Sequence, residues 1–196
     1  PNPSPMTLDG TNTWVLGELG TPAVIVDPGP ADDRHLEAVR TTLERRDQRP
    51  AVILLTPGHH DHSEGARLFA ETLGVAVRAL DPAHRYGTEG LTAGDRVSVG
   101  SVELSVVATP GHSSDSLSFH LSGERAVLTG DTLLGRGTTV VAWPDGSLAD
   151  YLRSLRDLRD LTAEHGLSHA LPGHGPATTE PLTLLDEYLQ HRHERL

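Results

Sequence analysis

The 196-residue chain contains no cysteine. Disulfides are thereby excluded, and so is a thiolate-held metal. Any metal bound here must rest on His, Asp and Glu, donors that suit zinc, iron or manganese. Lysine is missing too, so all 16 basic residues are Arg, against 27 acidic ones. The resulting net charge of −11 makes the chain a poor non-specific partner for nucleic acid, because phosphate is repelled at long range. No stretch approaches ~20 uninterrupted apolar residues, so no membrane span is expected. A charged start followed by an apolar run, the mark of a signal peptide, is also absent, and the expected location is the cytoplasm. Hydrophobic residues at 36% and charged residues at 22% fit a globular protein, and the length fits a single domain over residues 1–196. What the chain has in quantity is histidine, 12 in all.

Residues 12–16 and 23–27 are expected to pair as strands across a Gly-containing turn. "DPGPADD" closes the second strand and opens a helix over 32–46, where Leu36, Val39 and Leu43 share one face. "AVILLT" (51–56) is a short apolar run that suits a strand buried on both faces. A helix from Glu64 to Leu73 and a strand over 74–80 follow. The second half restarts with "RVSVG", "SVELSVVAT", "SLSFHL" and "RAVLTG", all β-rich. Ser147 is a good N-cap for the next helix, which presents Tyr151, Leu155 and Leu158 on its apolar face. "LSHALPG" is a last short strand, and 180–194 a last helix. The ending "LQHRHERL" reads as helix without a cap, so a further helical segment beyond it is expected. Two halves, each with strands first and helix later, suggest an α/β protein with two sheets face to face and helices outside.

Four stretches share a property: each follows an apolar strand-like run and carries His or Asp in a turn. They are "LLTPGHHDH" (54–62), "VVATPGH" (106–112), "VLTGD" (127–131) and "HALPGH" (169–174). A strand end fixes the backbone while the loop leaves the side chain free. If the four ends meet on one edge, His59, Asp61, His62, His112, Asp131 and His174 converge, enough nitrogen and oxygen donors for two adjacent ions. Any one of these alone reads more simply as a capped or solvated residue; the joint pattern is what argues for a metal centre. His120 and His169 are read as structural, and His60, His84, His191 and His193 as surface residues. No serine-nucleophile reading competes, since no G-x-S-x-G elbow is present, and "GRGTT" (135–139) lacks the lysine of a phosphate-binding loop.

Together these motifs resemble those of the metallo-β-lactamase superfamily. "TPGHHDHSEGA" resembles its H-x-H-x-D-H loop, and "TPGHSSDS", "TGDTLLG" and "LPGHGP" the segments that carry the later ligands. The opening "NPSPMTLDGTNTWVLG" and "VDPGP" extend the resemblance over nearly the whole chain, with the glyoxalase II-like and beta-lactamase-like-protein branch most similar. The resemblance implies a four-layer αββα sandwich with two mixed β-sheets. It also implies two metal sites: one from a first histidine, His59 and His112, the other from Asp61, His62 and His174, with Asp131 bridging. Here Pro57 stands where that first histidine would be. Proline offers no donor, so the second site is expected to bind zinc more tightly than the first, and one or two ions are expected. His60 is the obvious substitute, but it is expected to point away.

The implied chemistry is hydrolysis. A water shared between the ions would be activated near neutral pH, with Asp61 orienting it as the catalytic carboxylate. The favoured function is zinc-dependent hydrolysis of a thioester or related small ester. The first alternative is an endoribonuclease-type hydrolase, which would need an arginine stripe around Arg34, Arg40, Arg45 and Arg46 or around Arg153, Arg156 and Arg159. The second is a metal-impaired, non-hydrolytic or ligand-binding member, supported by Pro57.

Overall fold

The computed structural model describes residues 2–194. The readings made for the last two positions lie outside the described residues. Four strands form the first sheet in the order β1 (Trp14–Leu16), β2 (Pro22–Val26), β3 (Arg49–Leu54) and β4 (Ala76–Arg78). β1 runs antiparallel to β2, and β2, β3 and β4 are parallel. Five strands form the second: β5 (Arg96–Val99), β6 (Val102–Ala108), β7 (Leu117–Leu121), β8 (Ala126–Gly130) and β9 (His169–Pro172). All its pairs are antiparallel except β8 with β9. Both sheets are therefore mixed. Each parallel pair is joined through a helix, as parallel strands require.

Alternation along the strands builds three apolar layers. Side chains of successive strand residues point to opposite faces. Val24 and Val26 of β2 and Val52 and Leu54 of β3 face the second sheet, where Leu104, Val106, Leu117, Phe119 and Leu128 meet them. Ala23, Ile25 and Ile53 face the other way, onto Leu36, Val39 and Leu43 of α1 (Asp33–Arg45) and Phe69 of α3 (Ala66–Leu73). Behind the second sheet, Val127 and Ala170 pack on Tyr151, Leu155 and Leu158 of α4 (Leu148–His165) and on Leu185 and Tyr188 of α5 (Pro181–His193). The order of layers is helix, sheet, sheet, helix. The caps are local: Asp32 accepts from the backbone of Arg34 and His35, and Ser147 from that of Asp150.

Several boundaries differ from the sequence expectation, the strands over 51–56 and 74–80 being observed at Arg49–Leu54 and Ala76–Arg78, and two further ones have a tertiary reason. The helix expected from Glu64 begins only at Ala66, as α3, and a short α2 (His60–Ser63) that the sequence reading did not foresee precedes it. Gly65 stands at the break because it lies against the β2–α1 turn: its N–H donates to Gly29 O at 2.8 Å, and a Cβ there would sit 2.7 Å from Pro30 O. The strand expected from residue 12 begins only at Trp14. Asn12 and Thr13 are spent on other contacts: the Asn12 amide donates to Pro172 O and Gly175 O, and the Thr13 hydroxyl to Asp27 O.

Phe119 is fully buried between the sheets. Phe119→Ala should cost about 3–5 kcal/mol of stability, read by urea denaturation. A loss below about 1 kcal/mol would mean that the two sheets are not packed through this residue.

Candidate metal centre

The sandwich brings the four strand-end turns to one edge. β3 leads through Leu55 and Thr56 into Pro57–His59, and α2 then carries Asp61 and His62. β6 leads into the turn with His112, β8 ends immediately before Asp131, and β9 ends two residues before His174. Ligand-type atoms of Asp61, His62, Asp131 and His174 lie within 4.8 Å of one another, and so do those of His59, His112 and Asp131. All six side chains singled out in the sequence therefore meet, in two groups that share Asp131.

The contacts inside the cluster are close. His62 Nε2 lies 3.2 Å from Asp131 Oδ2 and 3.6 Å from Asp61 Oδ2. His174 Nε2 lies 3.0 Å from Asp61 Oδ2 and 3.3 Å from Asp131 Oδ1. His112 Nε2 lies 3.3 Å from Asp131 Oδ2 and 3.0 Å from His59 Nδ1. Three of the imidazoles are fixed from behind through their other nitrogen: His62 Nδ1 on Asp27 Oδ2 at 2.9 Å, His112 Nδ1 on Val140 O at 2.7 Å, His174 Nδ1 on Gly10 O at 3.2 Å. A partner held in that way fixes the ring and aims Nε2 at the centre, where it can face a carboxylate while protonated or a cation once its proton is lost.

Burial would favour the neutral forms of these groups, and mutual contact overrides it. Desolvation alone would raise Asp131, but the charge of His62 and the nearness of His112 and His174 hold its carboxyl well below the usual carboxylate range. Burial would lower His62, but Asp131 and Asp27 carry it well above the ordinary imidazole value. His174 is pushed by Asp131 and Asp61, against its own burial, up to about 9. His59, partly buried and beside His112, moves the other way. The field at the centre favours positive charge.

The sequence reading gave Asp27 no role. Its carboxylate is buried and accepts three groups: the Thr56 N–H at 2.8 Å, the Thr56 hydroxyl and His62 Nδ1. It thus fixes both the end of β3 and the orientation of His62. The signal available was an aspartate closing an apolar strand in "VDPGP", here at φ 51°, a value uncommon outside glycine. The opening segment was likewise given no contacts. Thr11 donates to Asp61 O at 2.8 Å, and Asn12 N donates to Gly173 O at 2.7 Å. Gly173 itself is dictated by space, since a Cβ there would lie 2.6 Å from His62 Cε1 and 2.7 Å from Asp131 Oδ1.

Pro57 is buried, and His60 is exposed and belongs to neither donor group. His60 and His193 are surface residues as expected, whereas His84 is half-buried against Gly58 and His191 has a buried Nδ1. His120 is buried, with its ring 4.6 Å from that of His165. A cleft of about 410 Å³ opens beside His59, Asp61, His112 and Asp131. A hollow of about 400 Å³ at the far end of the sandwich, floored by Val15, Leu16 and Val102, is of similar size but contains neither donor group. Chemistry rather than volume distinguishes the two.

Comparison with known proteins gives a family match and full-length fold matches. The sequence profile of the "Metallo-beta-lactamase superfamily" matches residues 6–174. The chain is 35% identical to the "Beta-lactamase-like protein 2 homolog" of Caenorhabditis elegans, over 99% of this chain and 65% of that protein. It is 34% identical to the "Atrochrysone carboxyl ACP thioesterase" of Aspergillus fumigatus, over 89% of this chain and 53% of that protein. The chain thus spans between half and two thirds of the length of these relatives. A metallo-beta-lactamase family protein from Thermus thermophilus superimposes with a TM-score of 0.81 at 24% identity, over 100% of this chain and 78% of that one. Another solved structure, in a di-iron-bound form, does so with a TM-score of 0.71 at 26% identity, over 91% of this chain and 93% of that one.

Asp27→Ala would strand the Thr56 N–H and His62 Nδ1 in a buried site. The expected loss is about 1–3 kcal/mol of stability and about 10–100-fold in affinity for a divalent metal, read by denaturation and by metal titration. Unchanged metal affinity in a folded variant would remove Asp27 from any part in holding His62.

Proposed function

We propose, on the premise that this chain belongs to the metallo-beta-lactamase superfamily, that it is a zinc-dependent hydrolase of thioesters or related small esters. The observation that carries this reading is the pair of donor groups sharing one buried carboxylate, Asp131, at the mouth of a cleft. That one relative at 34% identity is named a thioesterase supports the choice of substrate class.

The donor set fits divalent cations on an observation of its own. Asp131 Oδ1 and His174 Nε2 are buried and 3.3 Å apart, and neither makes a well-aligned hydrogen bond, although His174 Nε2 lies 3.0 Å from Asp61 Oδ2. Buried polar atoms without partners are costly, and a cation between these two satisfies both. Asp61, His62, His174 and Asp131 would hold one ion, and His59, His112 and Asp131 the other. Bound ions would supply Lewis acidity, bringing the pKa of coordinated water towards ~7 and polarising the substrate carbonyl. The protein's own groups do the rest. Asp61, with 28% of its side chain exposed against 8% for Asp131, is the carboxylate that reaches the cleft to orient the attacking water and receive its proton. Asp27, Val140 O and Gly10 O keep three imidazoles aimed at the centre. An arrangement held in advance needs no reorganisation during the reaction.

Pro57 makes this centre lopsided. The first group retains two imidazoles and a shared carboxylate, a legitimate open arrangement for zinc, while the second keeps four donors. Removing a neutral imidazole adds no charge, and the loss of a residue that touches the ion should weaken binding at least as much as the 10–100-fold typical of supporting residues. The ribonuclease alternative has less support. Arg40 is paired with Glu37 and Glu44, Arg153 with Asp150, and Arg159 with Asp186, so three of the seven arginines in the two stripes already face acidic partners, in a chain of net charge −11.

Two outcomes test the reading. Metal analysis at limiting zinc should give near one ion per chain, rising only with excess. Pro57→His should tighten the weaker site at least about tenfold and raise hydrolytic rate; unchanged metal binding would show that this position does not face the centre. Iron in place of zinc would correct the ion and leave the rest standing. Separately, the zinc-loaded protein should hydrolyse small acyl thioesters, followed by thiol release, and Asp131→Ala should reduce this about 100-fold or more, as losses of groups that stabilise the reacting centre do. Absence of turnover by the loaded, Pro57→His protein would sink the hydrolase reading.

A further inference from the structure

Resting on the hydrolase reading above, we infer that the rim of the cleft is an acyl-specificity site for an apolar acyl group, set chiefly by Met6 and Val140. Among the described residues, six large hydrophobic side chains are left exposed. Three of them, Met6 at 61%, Val140 at 47% and Trp143 at 89%, belong to two segments that border the centre. Isolated exposed apolar residues need no explanation, but a cluster of them beside a cleft marks a binding surface.

The geometry ties this cluster to the reacting atoms. Met6 and Val140 both line the cleft that holds His59 and Asp61, and both also line a smaller hollow of about 190 Å³ that reaches His112, Asp131 and His174. Leu8 and Leu134 continue the wall of that hollow. Trp143 stands one residue beyond Ala142 and two before Asp145, both of which line the cleft. The rim does not float: the carbonyl of Val140 accepts from His112 Nδ1 at 2.7 Å, so the segment bearing Val140 is anchored on a donor of the centre. An acyl chain lying across Met6 and Val140 would therefore bring its carbonyl to Asp131 and Asp61.

Charge argues for an apolar rather than an anionic acyl group. The cation lining these two hollows is Arg136, and it lies 3.5 Å from Asp9. No other Arg lines either hollow. A carboxylate or phosphate on the acyl side would meet a neutralised arginine in a chain of net charge −11. A hydrocarbon would meet Met6, Val140 and Leu134 and displace their water.

The test compares octanoyl and acetyl thioesters of N-acetylcysteamine with the zinc-loaded protein. The unmodified protein should favour octanoyl in kcat/KM by at least about tenfold. Met6→Ser and Val140→Ser, both at exposed positions where folding is not at stake, should each cut the octanoyl-to-acetyl ratio several-fold, and together about tenfold. Leu19→Ser, at an exposed position outside the cleft, should leave the ratio as it was. Equal use of the two esters, or variants that lower both alike, would overturn the inference. If neither ester is turned over by the unmodified or by the Pro57→His protein, the hydrolase reading fails and binding decides the subsite separately. The thioether S-octyl-N-acetylcysteamine should then bind by calorimetry and lose about tenfold in the double variant; no binding, or binding that the double variant leaves unaltered, would overturn the subsite too.

Discussion

The site depends on one buried carboxylate. Asp131 is common to both donor groups, and the nearest nitrogens of His62, His112 and His174 all stand 3.2 to 3.3 Å from it. Such a charge is tolerable inside a protein only when it is matched. The match comes from both sheets, since His62 follows β3 of the first, while His112 and His174 follow β6 and β9 of the second. The sandwich is thus closed electrostatically at this edge and by hydrocarbon through its middle layer, where Val24, Leu54, Phe119 and Leu128 meet.

Behind Asp131 stands a second carboxylate with a different task. Asp27 joins Thr56 to His62, so the end of a core strand and the aim of an imidazole are set by one side chain. Together with Gly173, where no Cβ fits between His62 and Asp131, it shows how far precision at the centre is delegated to residues that touch no substrate. Groups of this kind hold a site to the few tenths of an ångström that chemistry requires.

Much of this was legible in the sequence, for identifiable reasons. The layers could be read because short apolar runs such as "AVIVD" and "AVILLT" between turn residues and helical spacing at Leu36, Val39 and Leu43 are local signals, and the six donors because each lies in a turn that follows an apolar run. Asp27 could not be assigned a role, since its partners lie 29 and 35 residues away and nothing within "VDPGP" names them. The break at Gly65 was hidden for the same reason: its cause is a contact with Gly29 and Pro30. The contacts of Thr11 and Asn12 with Asp61, Pro172 and Gly173 join positions up to 161 apart, which no window of neighbouring residues contains. The arginine stripes that the endoribonuclease alternative would need are a different case, because periodicity shows which charges share a face and not that Arg159 would meet Asp186 from another helix.

The division of donors between the two sheets has a consequence for how the molecule is made. His59, Asp61 and His62 come from the first half of the chain, and His112, Asp131 and His174 from the second. Asp61 and His62 alone, or Asp131 and His174 alone, offer a pair of donors and no enclosed site. A cation held by a complete donor group would therefore register that both halves have formed and docked in the correct orientation, and it would add its stabilisation only to chains in which they have.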